Sequence, residues 1–252
     1  MIERPKLIDS VGNQLELPKT FNVRGIPVGR RTSVLDIAYS DGGKDYSDGC
    51  FTPRRVEISG RLWATSESEF NEKWDQLAAF LAKENLKIQY RGRYINTIRV
   101  EEINQSDPLP VNYHYSDITL RFLCVDPFWY ELISKSVVVE TQGASPLNIV
   151  VPVSGTVPVF PEIKITNNAD NTSLSLKNAS DGDRGFEFED TGALSGTVIS
   201  VNCRTGTVTL DGNNKIASFS GLFLRLLAGQ DNTLVYTGSS AKIEIFYREA
   251  WL

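Results

Sequence analysis

Histidine is almost missing from this chain of 252 residues: His114, in Tyr113-His114-Tyr115, is the single one. A Ser-His-Asp or Cys-His catalytic site would have to use it. No nucleophile elbow and no carboxylate pattern accompanies it, so the plain reading is a strand histidine. A metal site built on two histidines of one chain is excluded. Cysteine is also scarce. Cys50, Cys124 and Cys203 are far apart and odd in number, which argues against a disulfide framework and against zinc-ligand spacing. No apolar run approaches the ~18 residues of a membrane-spanning helix. The opening Met1-Ile2-Glu3-Arg4-Pro5 has no apolar leader segment, so the expectation is a protein made and folded in a cytoplasm with reduced thiols. A basic excess is lacking too. The net charge is -5 with no marked asymmetry between the halves, which disfavours dedicated nucleic-acid binding.

Phosphate and metal loops are equally absent. Asp41-Gly42-Gly43-Lys44-Asp45-Tyr46-Ser47-Asp48-Gly49 is glycine-rich, but it has no GKS or GKT ending, and its acids repel phosphate. It reads as a mobile surface loop or an inter-subunit arm. Asp181-Gly182-Asp183-Arg184-Gly185 invites a calcium reading. The fifth and sixth positions of an EF-hand loop would be Gly185 and Phe186, however, where a ligand and a glycine are required. A polar turn entering a strand, with Phe186 and Phe188 pointing inward, is the simpler reading. Among 31 acids no pair is singled out by its setting for sugar hydrolysis. Of four tryptophans, Trp63 and Trp74 read as core and Trp129 belongs to an aromatic cluster. Trp251 is the one candidate left for stacking on a sugar.

What is present is mostly β. Hydrophobic content of 41% and charged content of 23% are those of a globular protein. Arg54 to Ala64 alternates, with Val56, Ile58 and Leu62 on one face and Glu57 and Arg61 on the other. Ser66-Glu67-Ser68-Glu69 is a capping box that predicts a helix over about 66–84, with Phe70, Trp74, Leu77, Ala78 and Leu81 forming its apolar stripe. Leu86–Tyr90 and Tyr94–Glu102 read as a hairpin around Arg91-Gly92. Asp107-Pro108-Leu109-Pro110 is a loop, and Ile118 to Cys124 is a half-buried strand. Asp126-Pro127-Phe128-Trp129-Tyr130 then forms an apolar plug. Residues 1–133 are therefore expected to be an α+β domain of antiparallel strands with one helix.

Residues 134–252 offer no helix start. Short β-branched runs recur: 136–140, 161–166, 172–176, 185–189, 197–202, 207–210, 223–227, 233–236 and 242–247. Turn signals at Asn167-Asn168, Asp181-Gly182, Asp211-Gly212 and Gly229-Gln230-Asp231-Asn232 separate them. That spacing predicts an antiparallel β-sandwich. Gln142 to Pro161 reads as a second candidate linker.

Four stretches in order resemble one family. They are Arg54-Arg55-Val56-Glu57-Ile58-Ser59-Gly60-Arg61-Leu62, the helix with Phe70, Trp74, Leu77 and Leu81, Leu86 to Tyr94, and Leu120 to Tyr130 with its Asp-Pro-Phe-Trp-Tyr close. Thr205–Gly212, Leu224–Leu234 and Ile243–Leu252 continue the likeness. The set resembles the distal tail proteins of siphophages, the long non-contractile-tailed bacteriophages. The polar loop 41–49 has no counterpart in that pattern, and there is no room for inserted sugar-binding modules.

The resemblance implies a non-enzymatic virion protein at the distal end of the tail, a baseplate hub. Its N-terminal domains would form a homohexameric ring, and galectin-like or carbohydrate-module-like sandwiches would project from it. The ring would join the tail tube protein to the tail-associated tip protein and to receptor-binding or baseplate proteins. DNA would be passing cargo only. Cofactors, metals and membrane insertion are not expected, and assembly would occur in the host bacterial cytoplasm. Asp126, Pro127, Phe128, Trp129 and Tyr130 are the expected family signature and interdomain packing residues. Asp41, Gly42, Gly43, Lys44, Asp45 and Tyr46 are the expected inter-subunit arm. The alternatives are a carbohydrate-binding module using Trp251 and, less well supported, a cell-wall glycan hydrolase.

Overall fold

The computed structural model describes residues 3–25, 28–30, 34–36, 43–45, 50–106, 115–141 and 145–252. The fold is mainly β, with one α-helix among the described residues. It divides into two compact units, residues 1–129 with residue 252, and residues 130–251. The division falls inside the aromatic string, with Trp129 counted in the first unit and Tyr130 in the second. His114 and the loop 107–110 lie outside the described residues.

In the first unit, Asn22–Gly25, Arg54–Trp63, Tyr115–Cys124 and Arg99–Gln105 form an antiparallel sheet in that order. Strand alternation decides its two faces. Val56, Ile58, Leu62, Ile118, Leu120, Phe122 and Cys124 point inward and are all at most 4% exposed. A second ladder runs Gln14–Glu16, Lys6–Ile8, Lys87–Tyr90, Arg93–Asn96. Its two-residue turn has Arg91 at φ 52° and Gly92 at φ 71°, the paired positive φ values of a hairpin turn that matches strand twist.

The helix Glu67–Leu81 begins where the sequence places it. Ser66 is the N-cap, and its hydroxyl accepts the Glu69 amide at 3.2 Å. The reciprocal half of the capping box differs from expectation. The Glu69 carboxylate accepts the Thr65 amide at 2.7 Å and the Thr65 hydroxyl, and pairs with Lys73 at 2.7 Å. Phe70, Leu77, Phe80 and Leu81 are buried, and Trp74 packs half-buried against the same core.

Two expectations need correction here. Trp63 is 57% exposed, because Leu62 takes the inward position and the next residue of a strand faces the other way. The run 94–102 is two strands, Arg93–Asn96 and Arg99–Gln105, in different sheets. They separate where the Thr97 amide turns to Leu86 O at 2.7 Å and the Ile98 amide to Leu123 O at 2.9 Å.

The second unit is an antiparallel sandwich. One sheet orders Lys135–Glu140, Ala241–Tyr247, Glu162–Asn167, Val198–Asn202, Thr207–Leu210 and Asn213–Asn214. The other orders Leu147–Val153, Gln230–Thr237, Ser173–Asn178, Arg184–Glu189 and Phe219–Gly221. Ile163, Ile165, Ile199, Val201, Ile243 and Ile245 from the first sheet are fully buried, as are Leu176, Phe188, Leu234 and Tyr236 from the second. The candidate linker 142–161 contains the edge strand Leu147–Val153, whose Ile149, Val151 and Val153 are buried. The run 223–227 is not a strand. Its one ladder contact is Leu226 with Val159, bonded in both directions at 2.9 and 3.0 Å, and the strand lies earlier, at Phe219–Gly221.

Candidate functional site

No group of three or more His, Cys, Asp or Glu residues with metal-holding geometry occurs among the described residues. Nor is any helix among them long and apolar enough to cross a membrane. The perturbed titratable groups are shifted by structural partners or by burial. Asp190 is lowered to about 2 by Lys215, the Gly192 amide and the Ser218 hydroxyl. Glu69 is lowered to about 2 by Lys73 and Thr65. Burial pushes the Cys124 and Cys203 thiols up to about 12.

The Asp181–Gly185 stretch starts at the last residue of a 3-10 helix, Ala179–Asp181, capped by Gly182 at φ 62°, and runs into the strand Arg184–Glu189. Asp181 is bonded by both arms of Arg225, at 2.6 and 3.0 Å, so it is a turn anchor. Beside it lies an open groove of about 580 Å³ with Lys177, Asp183, Glu187 and Ser220 on its walls. Lys177 and Glu187 pair with each other at 2.8 Å, so the groove's charges are largely spent within it.

The features that stand out belong to surfaces. The outward face of the four-stranded sheet is a lattice of ion pairs. Arg55 meets Glu101 at 2.7 Å, Arg61 meets Asp117 at 2.8 Å, and Arg121 meets Glu57 at 3.1 Å and Glu102 at 2.5 Å. Exposed pairs of this kind contribute little stability. They do leave those three guanidinium groups engaged by carboxylates rather than open to phosphate. Two strands of this sheet, Asn22–Gly25 and Arg99–Gln105, are its outer members.

Of the Asp126–Tyr130 string, Pro127 and Tyr130 are buried, and Asp126, Phe128 and Trp129 are half-buried. The Asp126 carboxylate accepts the Phe128 amide at 3.4 Å. Phe128 meets Phe51 edge-on with ring centroids 5.6 Å apart, and Trp129 packs on the first unit's core. The Arg204 guanidinium lies 5.4 Å from the Tyr130 ring centroid. Of the expected arm, Gly43–Asp45 forms a short strand paired with Val34–Asp36. Asp41, Gly42 and Tyr46 lie outside the described residues. Trp251 is half-buried in the short strand Ala250–Trp251.

Sequence reasoning passed over Arg54. It reads as the first residue of an alternating strand, yet it is 6% exposed and its Nε has no hydrogen-bond partner. Its alternation with Val56 and Ile58 placed it on the core face and was the one available signal.

Residues 154–251 match the model of the family described as siphovirus-type tail component, C-terminal domain. No curated protein matches the chain. Among solved structures, the fold resembles the Dit protein of phage SPP1, described as a paradigm of the hub adsorption apparatus in phages that infect Gram-positive bacteria. The TM-score is 0.75 at 17% identity, over 99% of this chain and 100% of that one. At that identity the likeness establishes the fold. The phage P2 baseplate aligns over 98% of both chains with a TM-score of 0.43 and 11% identity, too low to carry an argument.

Proposed function

We propose that this chain, whose residues 154–251 match the siphovirus-type tail component family and whose fold resembles that of a distal tail protein, is a structural hub subunit of a phage tail. Copies of it form a ring at the tail tip. The ring connects the tail tube to the tip proteins and to the adsorption apparatus. The match of residues 154–251 to a tail component family carries this reading, and the distal-tail-protein fold over the whole chain supports it.

The work of such a subunit is geometric. A ring closes by heterologous contacts, in which each copy offers one patch to a different patch on the next. Outer strands of the four-stranded sheet supply unpaired backbone groups for such contacts. Residues 41–46 are proposed as an arm to a neighbour. The slight net negative charge of -5 suits a lumen through which DNA passes without adhering. The aromatic close at Asp126–Tyr130 supports folding and assembly rather than ligand contact, so Trp129→Ala is expected to impair ring formation before any binding.

Native mass spectrometry and negative-stain electron microscopy of the purified chain test this, together with labelled antibody on virions. Rings, and label at one tail end, are the expected results. A chain that stays monomeric at high concentration with its tail partners present would overturn the ring. Saturable binding on a glycan array, lost in Trp251→Ala, would instead favour the sugar-binding reading.

A further inference from the structure

Arg54 differs from the other arginines of its own strand and of the next, Arg55, Arg61 and Arg121. Arg55, Arg61 and Arg121 lie on the outward face and pair with carboxylates. Arg54 turns inward with Val56 and Ile58 and is 6% exposed. Its buried Nε has no hydrogen-bond partner, and no carboxylate among the described residues pairs with its guanidinium. Burial lowers its pKa, and the neighbour that opposes this is Cys124, whose thiol is pushed up to about 12 and so is neutral at pH 7. A guanidinium stays charged in proteins, and a buried charge without a partner is costly. The arrangement is one half of a contact.

The geometry of the missing half is set by Gly25. A Cβ built there would lie 3.8 Å from Arg54 Nη1 and 3.8 Å from Trp129 Nε1. Arg54 Nη1 and Trp129 Nε1 thus lie equally far from the position a Cβ at Gly25 would take. An oxygen seated slightly inside that point would be within hydrogen-bond reach of both donors. Two N–H donors, one of them a planar cation, suit a carboxylate. Gly25 is exposed and ends the strand Asn22–Gly25, the outer member of its sheet. A segment added along that strand would carry its side chains past Gly25.

We propose that Arg54, Trp129 and Gly25 form a socket for a carboxylate side chain of a second copy of this chain. The occupant rests on the ring reading above, and two further observations favour it. The socket adjoins the outer strand of its sheet, and each copy has 31 acidic side chains against 26 basic ones, so carboxylates are in excess.

The test uses 15N-labelled full-length protein, with the Trp129 indole N–H resonance assigned by its loss in Trp129→Phe. Dilute protein is titrated with acetate against chloride at fixed ionic strength. Acetate is expected to shift the resonance saturably in the wild type and not in Arg54→Met. Raising the protein concentration until copies associate is expected to shift it without acetate. Arg54→Met is expected to need at least tenfold more protein to associate, while the dilute variant melts no lower than the wild type, because an unpaired buried cation has been removed. An unmoved resonance, or an equal shift in Arg54→Met, would overturn the socket. A lower melting temperature of dilute Arg54→Met would reassign Arg54 to structural support. Association with the indole unmoved would overturn the second-copy occupant alone. A chain that never associates, even with its tail partners present, would overturn the ring and that occupant, and the acetate titration would still decide the socket.

Discussion

Asp9 and Lys83 stand 74 positions apart in the chain and 2.8 Å apart in the fold. Asp9 is 5% exposed. Its carboxylate also accepts the Val11 amide at 3.1 Å, the Asn13 amide at 2.7 Å and the Asn13 side-chain amide at 2.8 Å. It therefore organises the first tight turn and ties it to the residue just past the helix. Lys83 and Asn13 hold its pKa well below the ordinary carboxylate value of 3.8.

That pair sets a pH dependence. A depressed folded-state pKa means the unfolded chain binds the proton more readily. The stabilisation is complete above the unfolded pKa of about 4 and is lost as pH falls below it toward the folded value. Asp9→Asn is expected to be less stable than the wild type at pH 7, and the gap should narrow steadily below about pH 4. Urea midpoints measured from pH 7 to pH 2.5 check this, and curves that stay parallel throughout would contradict it.

Asn232 is a turn residue by sequence and a core residue by structure. It is fully buried, accepts the Leu227 amide at 2.7 Å and the Asn178 side-chain amide at 3.0 Å, and donates to Leu227 O at 3.0 Å. Asn232→Ala leaves the Leu227 amide and carbonyl, the Asn178 side-chain amide and the Gln230 carbonyl without this partner. It is expected to lose about 1–3 kcal/mol in equilibrium unfolding. Asp231→Ala, at the exposed neighbour, should stay within about 0.5 kcal/mol of wild type.

Gly60 sits mid-strand because no side chain fits there. A Cβ would come within 2.5 Å of Phe21 Cα and 2.6 Å of Phe21 Cγ, and Phe21 is itself 2% exposed. Gly60→Ala is expected to destabilise by about 1–3 kcal/mol through overpacking, read as a lower urea midpoint at unchanged slope. Ser59→Ala, one residue away and facing outward, is the matched control.

The thiols divide by accessibility. Cys50 is exposed, Cys124 and Cys203 are buried, and none is in a disulfide. With the buried pair pushed up to about 12, their thiolate fraction at pH 8 is negligible. An aromatic disulfide reagent is expected to titrate one thiol per native chain and three in denaturant. Two or more reacting natively would show that one of the units opens on the timescale of the assay.

Much of this was legible from periodicity and turn chemistry. Val56, Ile58 and Leu62 declare their face by alternation, Ser66 declares the helix start, and Arg91-Gly92 declares a tight turn. Periodicity reports which way a side chain points relative to its own backbone. It does not report which strand lies alongside. The break at Thr97-Ile98 was therefore invisible, because it is made by bonds to Leu86 and Leu123 that come from distant positions. Leu147–Val153 was hidden among glycine, proline and serine neighbours, and its strand character comes from pairing with Gln230–Thr237. Of the candidate surface residues, Asp126–Tyr130 stood out by composition. Arg54 did not, since an arginine on an alternating strand carries no mark of whether its charge is answered.

The amino-acid sequence by itself determined the β-rich class, the helix at Glu67–Leu81 and the inward residues of strands such as Arg54–Trp63. These follow from local rules of period, capping and residue type. Only the tertiary structure decided which strands are neighbours, that Trp63 faces out, and that Arg54 and Trp129 both lie near Gly25. Those outcomes depend on long-range register, and a shift of one residue in register exchanges the two faces of a strand.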